Sequence, residues 1–185
     1  SSMEDRACGG GGSKFEVAKA AVQKFIKSVP SDVNVGLVRL NAGMVVELGI
    51  GNRAALMSAV DDIDSSGGTP LRSLMKKAYE VLTRQAQRQL GYGAYRLVMV
   101  TDGEANPGQD PGDVVAMITG NSPIIIHTIG FCIGSDHSLN QPGRTYYAEA
   151  NSPEELTRGL ESVLAEAPTF GAVMFRDGGF EFDSN

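Results

Sequence analysis

The chain has 185 residues, enough for one domain with a full core, and its 42% hydrophobic and 21% charged residues are the balance of an ordinary globular protein. Its net charge is −6 and its Lys and Arg are scattered, which argues against nucleic acid and anionic membranes as partners, because both reward a basic face. No apolar run approaches the roughly 18 residues of a membrane span, and two cysteines with two histidines are too few and too far apart for a structural zinc site.

The first predicted element is a helix over 14–29. Ser13-Lys-Phe-Glu16 has the form of a capping box, and Phe15, Ala18, Val22, Phe25, Ile26 and Val29 recur at helical spacing until Pro30. Gly9-Gly-Gly-Gly-Ser-Lys14, just before it, lacks the phosphate-loop spacing and reads as a flexible loop or linker. Val33-Asn-Val-Gly-Leu-Val-Arg-Leu40 reads as a strand, Asn41-Ala-Gly43 as a turn, and Met44-Val-Val-Glu-Leu48 as its hairpin partner. A short helix fits 53–63. Thr69 suits an N-cap and Pro70 a first helical residue, so the next helix is expected over 70–88.

Arg96-Leu-Val-Met-Val-Thr101 and Pro123-Ile-Ile-Ile-His-Thr-Ile129 are nearly continuous apolar runs, as in strands buried on both faces. A helix near 111–119 separates them. Residues 131–147 read as a loop with His137 exposed, and His127 reads as a hydrogen-bonded core residue. Ser152-Pro-Glu-Glu155 is a second capping-box pattern and starts a helix to about Ala165. Tyr92, Tyr95, Tyr146 and Tyr147 are explained by packing at element ends as well as by contact with a partner.

Strands alternating with helices predict an α/β fold: a Rossmann-like, doubly wound, mostly parallel central sheet with one antiparallel edge hairpin and helices on both faces. Ligands of such sheets bind beyond the carboxyl ends of the strands. Asp102 directly follows a strand and Thr69 starts a helix, so both are expected on that rim. A hydroxyl and a carboxylate with little bulk around them, in Ser65-Ser-Gly-Gly-Thr-Pro-Leu71 and Val100-Thr-Asp-Gly-Glu104, suit a hard divalent cation. Mg²⁺ is the first choice, with Mn²⁺ and Ca²⁺ as alternatives. Glu104 is expected to stay solvated.

In their order and spacing, Ser2-Met3, the hairpin at 33–48, Gly67-Gly-Thr-Pro-Leu71, Val100-Thr-Asp-Gly-Glu104 and His127-Thr-Ile-Gly130 resemble a von Willebrand factor type A (vWA) domain with a metal-ion-dependent adhesion site. The resemblance covers most of 1–166. In that family an Asp-x-Ser-x-Ser motif ends the first, central strand and joins the later Thr and Asp around the metal. By position Ser2 matches its last serine. Reading from the C-terminus to the N-terminus gives Asp183-Ser-Asn-Ser-Ser-Met3, with Asn185 where the first serine is expected.

The resemblance therefore implies one domain over 1–185 with metal ligands Ser2, Thr69, Asp102, Asp183 and Asn185. Residues 172–185 are expected to supply the central strand and the start of a metal loop completed by 1–3, through circular permutation or a cut in that loop. An ordinary C-terminal hairpin around Arg176-Asp-Gly-Gly179, or a strand donated by a neighbouring chain, are the alternatives. Cys8 and Cys132 would both lie near the metal rim. Two unpaired thiols are expected, and a disulfide would instead imply an oxidising compartment. An extracytoplasmic address is favoured over a cytoplasmic one.

The function so implied is non-enzymatic: metal-dependent, adhesion-type binding of a protein partner that presents Asp or Glu to the ion. A Mg²⁺-dependent phosphoryl hydrolase on a similar sheet is an alternative. It lacks an Asp-x-Asp pair after a strand and a Lys in either loop. A metal-free structural interaction domain is the other alternative.

Overall fold

The computed structural model describes residues 5–39, 43–64 and 70–165. In chain order its elements are α1 (Lys14–Ser28), β1 (Val35–Arg39), β2 (Gly43–Gly49), α2 (Arg53–Asp61), α3 (Leu71–Arg88), β3 (Tyr95–Thr101), α4 (Gly112–Asn121), β4 (Ile124–Phe131), β5 (Tyr146–Ala150) and α5 (Pro153–Ala165). Residues 1–3 and 172–185, and with them the expected central strand and metal-loop closure, lie outside the described residues.

The helix starts follow from their caps. Ser13 Oγ accepts from the backbone N–H of Glu16, whose carboxylate accepts in return from the N–H of Ser13, so the box at α1 is complete. At α5, Ser152 Oγ accepts from the N–H of Glu155, but the Glu155 carboxylate reaches one residue further back, to the N–H of Asn151 at 2.7 Å. The helix expected from Pro70 begins one residue later, with Pro70 as its N-cap. Its first N–H groups turn to the loop after β3 instead: Arg72 N donates to Gln109 O, and Ser73 N to Gln109 Oε1.

β1 and β2 form the expected antiparallel hairpin, with Leu37 opposite Val46 and Arg39 opposite Gly43. Gly36 sits at an irregularity in this pairing, where a Cβ would press on the backbone of Val46 and Leu48. β3, β4 and β5 form a parallel sheet in that order. β5 corrects the sequence reading, which left 131–147 as a loop and found no strand at Tyr146–Ala150.

Each face of the parallel sheet has its own core. Val98, Val100, Ile129 and Phe131 pack with Val17 and Ala21 of α1 and with Leu156 and Leu160 of α5. Their alternate neighbours Leu97, Met99, Ile124 and Ile126 pack on the opposite side with Leu71 and Met75 of α3 and Val115 and Ile118 of α4. This period-two split is why both strands read as continuously apolar. A third cluster, around Ile26, Leu56 and Val60, carries the hairpin through Val35, Leu37 and Val46. α3 touches β1, β2 and β3, and α1 touches α2 and α5. The two sheets therefore share their helical layers. β4 is buried almost throughout, whereas the interior of β3 is half-buried, although both strands have helices on both faces, as expected.

Candidate functional site

β3 ends at Thr101, and the chain turns sharply through Asp102, Gly103 and Glu104. Thr101 Oγ1 donates to Gly103 O at 2.8 Å and so closes the turn. Asp102 lies on the rim at the carboxyl ends of the parallel strands, as expected, and is buried, with 7% exposure. Its Oδ2 is shut off from solvent and accepts no hydrogen bond from any described residue. A buried carboxylate oxygen without a donor is costly, and such an atom calls for a partner.

Ser2, Thr69, Asp183 and Asn185 lie outside the described residues. The described residues that follow Ser2 and Thr69 do come to this rim. Pro70 opens α3 beside the 106–110 loop through the bonds to Gln109. Residues 5–14 fold into a small loop, with Ala7 N donating to Gly12 O and Lys14 N to Asp5 O. Cys8 in that loop is joined to Cys132, which follows β4 directly, by a disulfide with Cα atoms 5.8 Å apart. The expectation of two free thiols is thereby corrected. The pairing has no local signal because 124 residues separate the two cysteines. Cys132 also adopts a φ of +60°, a left-handed conformation uncommon for a residue with a side chain.

His137 corrects the reading as well. It is 7% exposed rather than solvent-facing. Its Nδ1 accepts from Leu139 N, and its Nε2 lies 3.0 Å from Gly103 O in the turn that carries Asp102. Ser138 Oγ donates to Glu104 Oε2 at 3.1 Å, while the Glu104 side chain keeps 57% exposure and stays largely solvated, as expected. The ring of Tyr147 stacks against His137 with centroids 5.9 Å apart. Tyr147 donates from its hydroxyl to Gly134 O at 2.6 Å. Burial, and to a lesser extent Glu149 and Glu104, raise the Tyr147 phenol above its usual range. Gly130 makes room for this ring, since a Cβ there would collide with the phenol oxygen. His127 is buried as expected and stacks on Tyr146 at 5.1 Å.

Sequence reasoning missed His137, Ser138 and Tyr147 at this rim. The available signal was Gly130, a glycine interrupting an apolar strand, which marks a close approach by another group. Among the described residues, no set of three His, Cys, Asp or Glu side chains is placed to hold a metal.

Among solved structures, the chain is similar to an aerotolerance-related membrane protein from Bacteroides fragilis carrying multiple mutations to serines. The identity is 14% and the TM-score 0.66, over 89% of this chain and 94% of that one. It is similar to the conserved hypothetical protein BatB from Bacteroides thetaiotaomicron at 14% identity and TM-score 0.65, with the same coverage of 89% and 94%. It also resembles the manganese-loaded TRAP protein of Plasmodium vivax, at 15% identity and TM-score 0.54, over 77% of this chain and 63% of that one. At these identities the likeness is one of fold. No curated protein matches the chain. The model of the von Willebrand factor type A domain matches residues 1–104. With the doubly wound sheet and the rim turn after β3, that match over more than half of the sequence places this chain in the von Willebrand factor type A domain family.

Proposed function

We propose that this domain binds a protein partner through a divalent cation held at the rim, Mg²⁺ first and Mn²⁺ or Ca²⁺ as alternatives. The family is typically one of protein–protein interaction and adhesion. The observation that carries the metal reading is Asp102 Oδ2, a buried carboxylate oxygen without a hydrogen-bond donor among the described residues. A cation fits such an atom, because it supplies the positive partner that no described residue provides. The manganese in the Plasmodium vivax structure supports the same reading at the level of the fold.

Asp102 would hold the ion together with Ser2 and Thr69, and with Asp183 and Asn185 as the remaining candidates. With Ser2 and Thr69 coordinating directly as neutral hydroxyls and the aspartates acting partly through water, a bound divalent ion keeps net positive character, which suits an Asp or Glu carboxylate from the partner. The chain's own part is to hold Asp102 with its oxygen uncommitted and to keep bulky side chains away from it. The domain so read binds its partner and carries out no reaction. The Cys8–Cys132 disulfide supports an oxidising, extracytoplasmic compartment. Among the described residues no helix is long and apolar enough to cross a membrane.

The test is calorimetric titration of the chelator-treated chain with Mg²⁺ and Mn²⁺, followed by a panel of Asp- and Glu-bearing peptides with ion or with chelator. The wild type is expected to take up one ion and to bind acidic peptides only in its presence. Asp102→Ala is expected to lose both, with metal-free stability unchanged or slightly raised because a buried oxygen that accepts from no described residue has been removed. Ion uptake by Asp102→Ala equal to that of the wild type, or no uptake by the wild type, would overturn the reading.

A further inference from the structure

We propose that His137 is the positioning residue of this rim: its imidazole pins the Gly103 carbonyl and so presets the turn that presents Asp102. The inference rests on the metal-dependent reading above and assigns a role to a buried histidine that the reading leaves unused.

Both ring nitrogens are committed in a way that fixes the tautomer. Nδ1 accepts from Leu139 N at 3.0 Å, so it bears a lone pair. In a neutral ring the proton is then on Nε2, which donates to Gly103 O at 3.0 Å. Gly103 O already accepts from Thr101 Oγ1 at 2.8 Å. A carbonyl oxygen has two lone pairs, so both are used. The turn thus offers the Asp102 carboxylate to a ligand and keeps the Gly103 carbonyl out of contention.

The imidazole is itself held from two sides, and its neighbour Ser138 braces the same turn. Leu139, two residues on, is fully buried in the core between α3, α4 and the sheet, which anchors the backbone that feeds Nδ1. Tyr147 stacks on the ring, and Tyr147 is fixed by its bond to Gly134 O and by the space above Gly130. Ser138 reaches the next residue of the turn, Glu104, at 3.1 Å. Two consecutive side chains of one loop therefore grip two consecutive residues of another, 34 positions away.

The consequence is preorganisation. A turn containing glycine samples many conformations when free, and fixing it lowers ligand affinity by the cost of ordering. A buried oxygen that accepts from no described residue also favours rearrangement of the turn toward solvent. The His137 bond opposes that rearrangement, in the way that groups behind a metal ligand commonly orient it, with losses of about 10- to 100-fold in affinity on removal.

Three variants of the full chain separate this role from simple packing. His137→Gln places an amide N–H₂ near the position of Nε2 and retains the donor to Gly103. His137→Asn retains an acceptor near Nδ1 for Leu139 but cannot reach Gly103. His137→Ala has neither. Mn²⁺ affinity by calorimetry is expected to fall about tenfold in Asn and Ala, and Gln is expected to stay within about threefold of the wild type. In the metal-free protein, amide hydrogen exchange at Gly103 is expected to speed up in Asn and not in Gln. If Ala does not fold, the Asn and Gln pair decides. Equal affinities in the wild type and all folded variants, or equal losses in Asn and Gln, would overturn the positioning role while leaving the metal site intact. A wild type that takes up no Mn²⁺ would overturn both readings together.

Discussion

β3 and β4 are neighbours in one sheet, are written in nearly the same apolar alphabet, and are buried differently. β4 is buried at every position except Ile125, whereas β3 is buried only at Tyr95 and Thr101. Both have helices on both faces. The difference is at their edges: β4 lies between β3 and β5, while β3 has a strand on one side only among the described residues. Apolar sequence thus reports that the faces of a strand are covered and does not report how many of its edges are. The rim repeats the contrast. The chain leaving β4 is fastened covalently through Cys132, and the chain leaving β3 is fastened by hydrogen bonds to the Asp102 turn.

The largest effect should come from the paired residues Leu97 and Ile126, which oppose each other across β3 and β4 and enter the same core. Ile126→Ala is expected to cost about 4 kcal/mol and Leu97→Ala about 2 kcal/mol, measured by urea unfolding, because a half-buried side chain leaves a smaller cavity. Equal losses would break the comparison and mean that the edge of β3 away from β4 is covered as well. Next in size, replacing both Cys8 and Cys132 by Ser should cost about 2–4 kcal/mol, read in the same unfolding experiment against the wild type under non-reducing conditions. A negligible loss would show the β4 end of the rim to be no better fastened than the β3 end.

The smallest effect concerns Tyr147. Its phenol is raised by burial, then by Glu149 and Glu104. The folded state therefore favours the neutral form. The associated stability is fully present below the ordinary tyrosine range near pH 10 and is lost as the pH climbs through the raised value. Tyr147→Phe should flatten the alkaline limb of a stability profile taken between about pH 8 and 11. It should also remove the bond to Gly134, worth about 1 kcal/mol. An unchanged profile would mean that the Tyr147 phenol is not held away from solvent in the folded state.

Local signals carried most of the fold. The box at Ser13 and Glu16, the hairpin, and the runs at 96–101 and 123–129 each depend on neighbours within a few residues, and each appears in the structure. What sequence did not disclose depends on distant residues. Tyr146–Ala150 is short and two of its five residues are alanine, so it becomes a strand because Ile129 and Gly130 offer it an edge. His137 is buried because Leu139 and Tyr147 hold its loop against the sheet. Of the expected site, Asp102 was legible from its place after an apolar strand and stands at the rim. Its setting against His137 was not, since nothing within the loop at 131–145 marks which of its residues turns inward.

The disulfide has a further consequence. Bond 8–132 makes most of the domain, from α1 through β4, into a covalent ring. An exposed turn of that ring holds Leu90 and Tyr92, at 83% and 82% exposure, between α3 and β3. A protease reaching that turn would open the ring without releasing a fragment. The nicked molecule would keep its full mass, with its two halves parting only when a reductant and a denaturant act together.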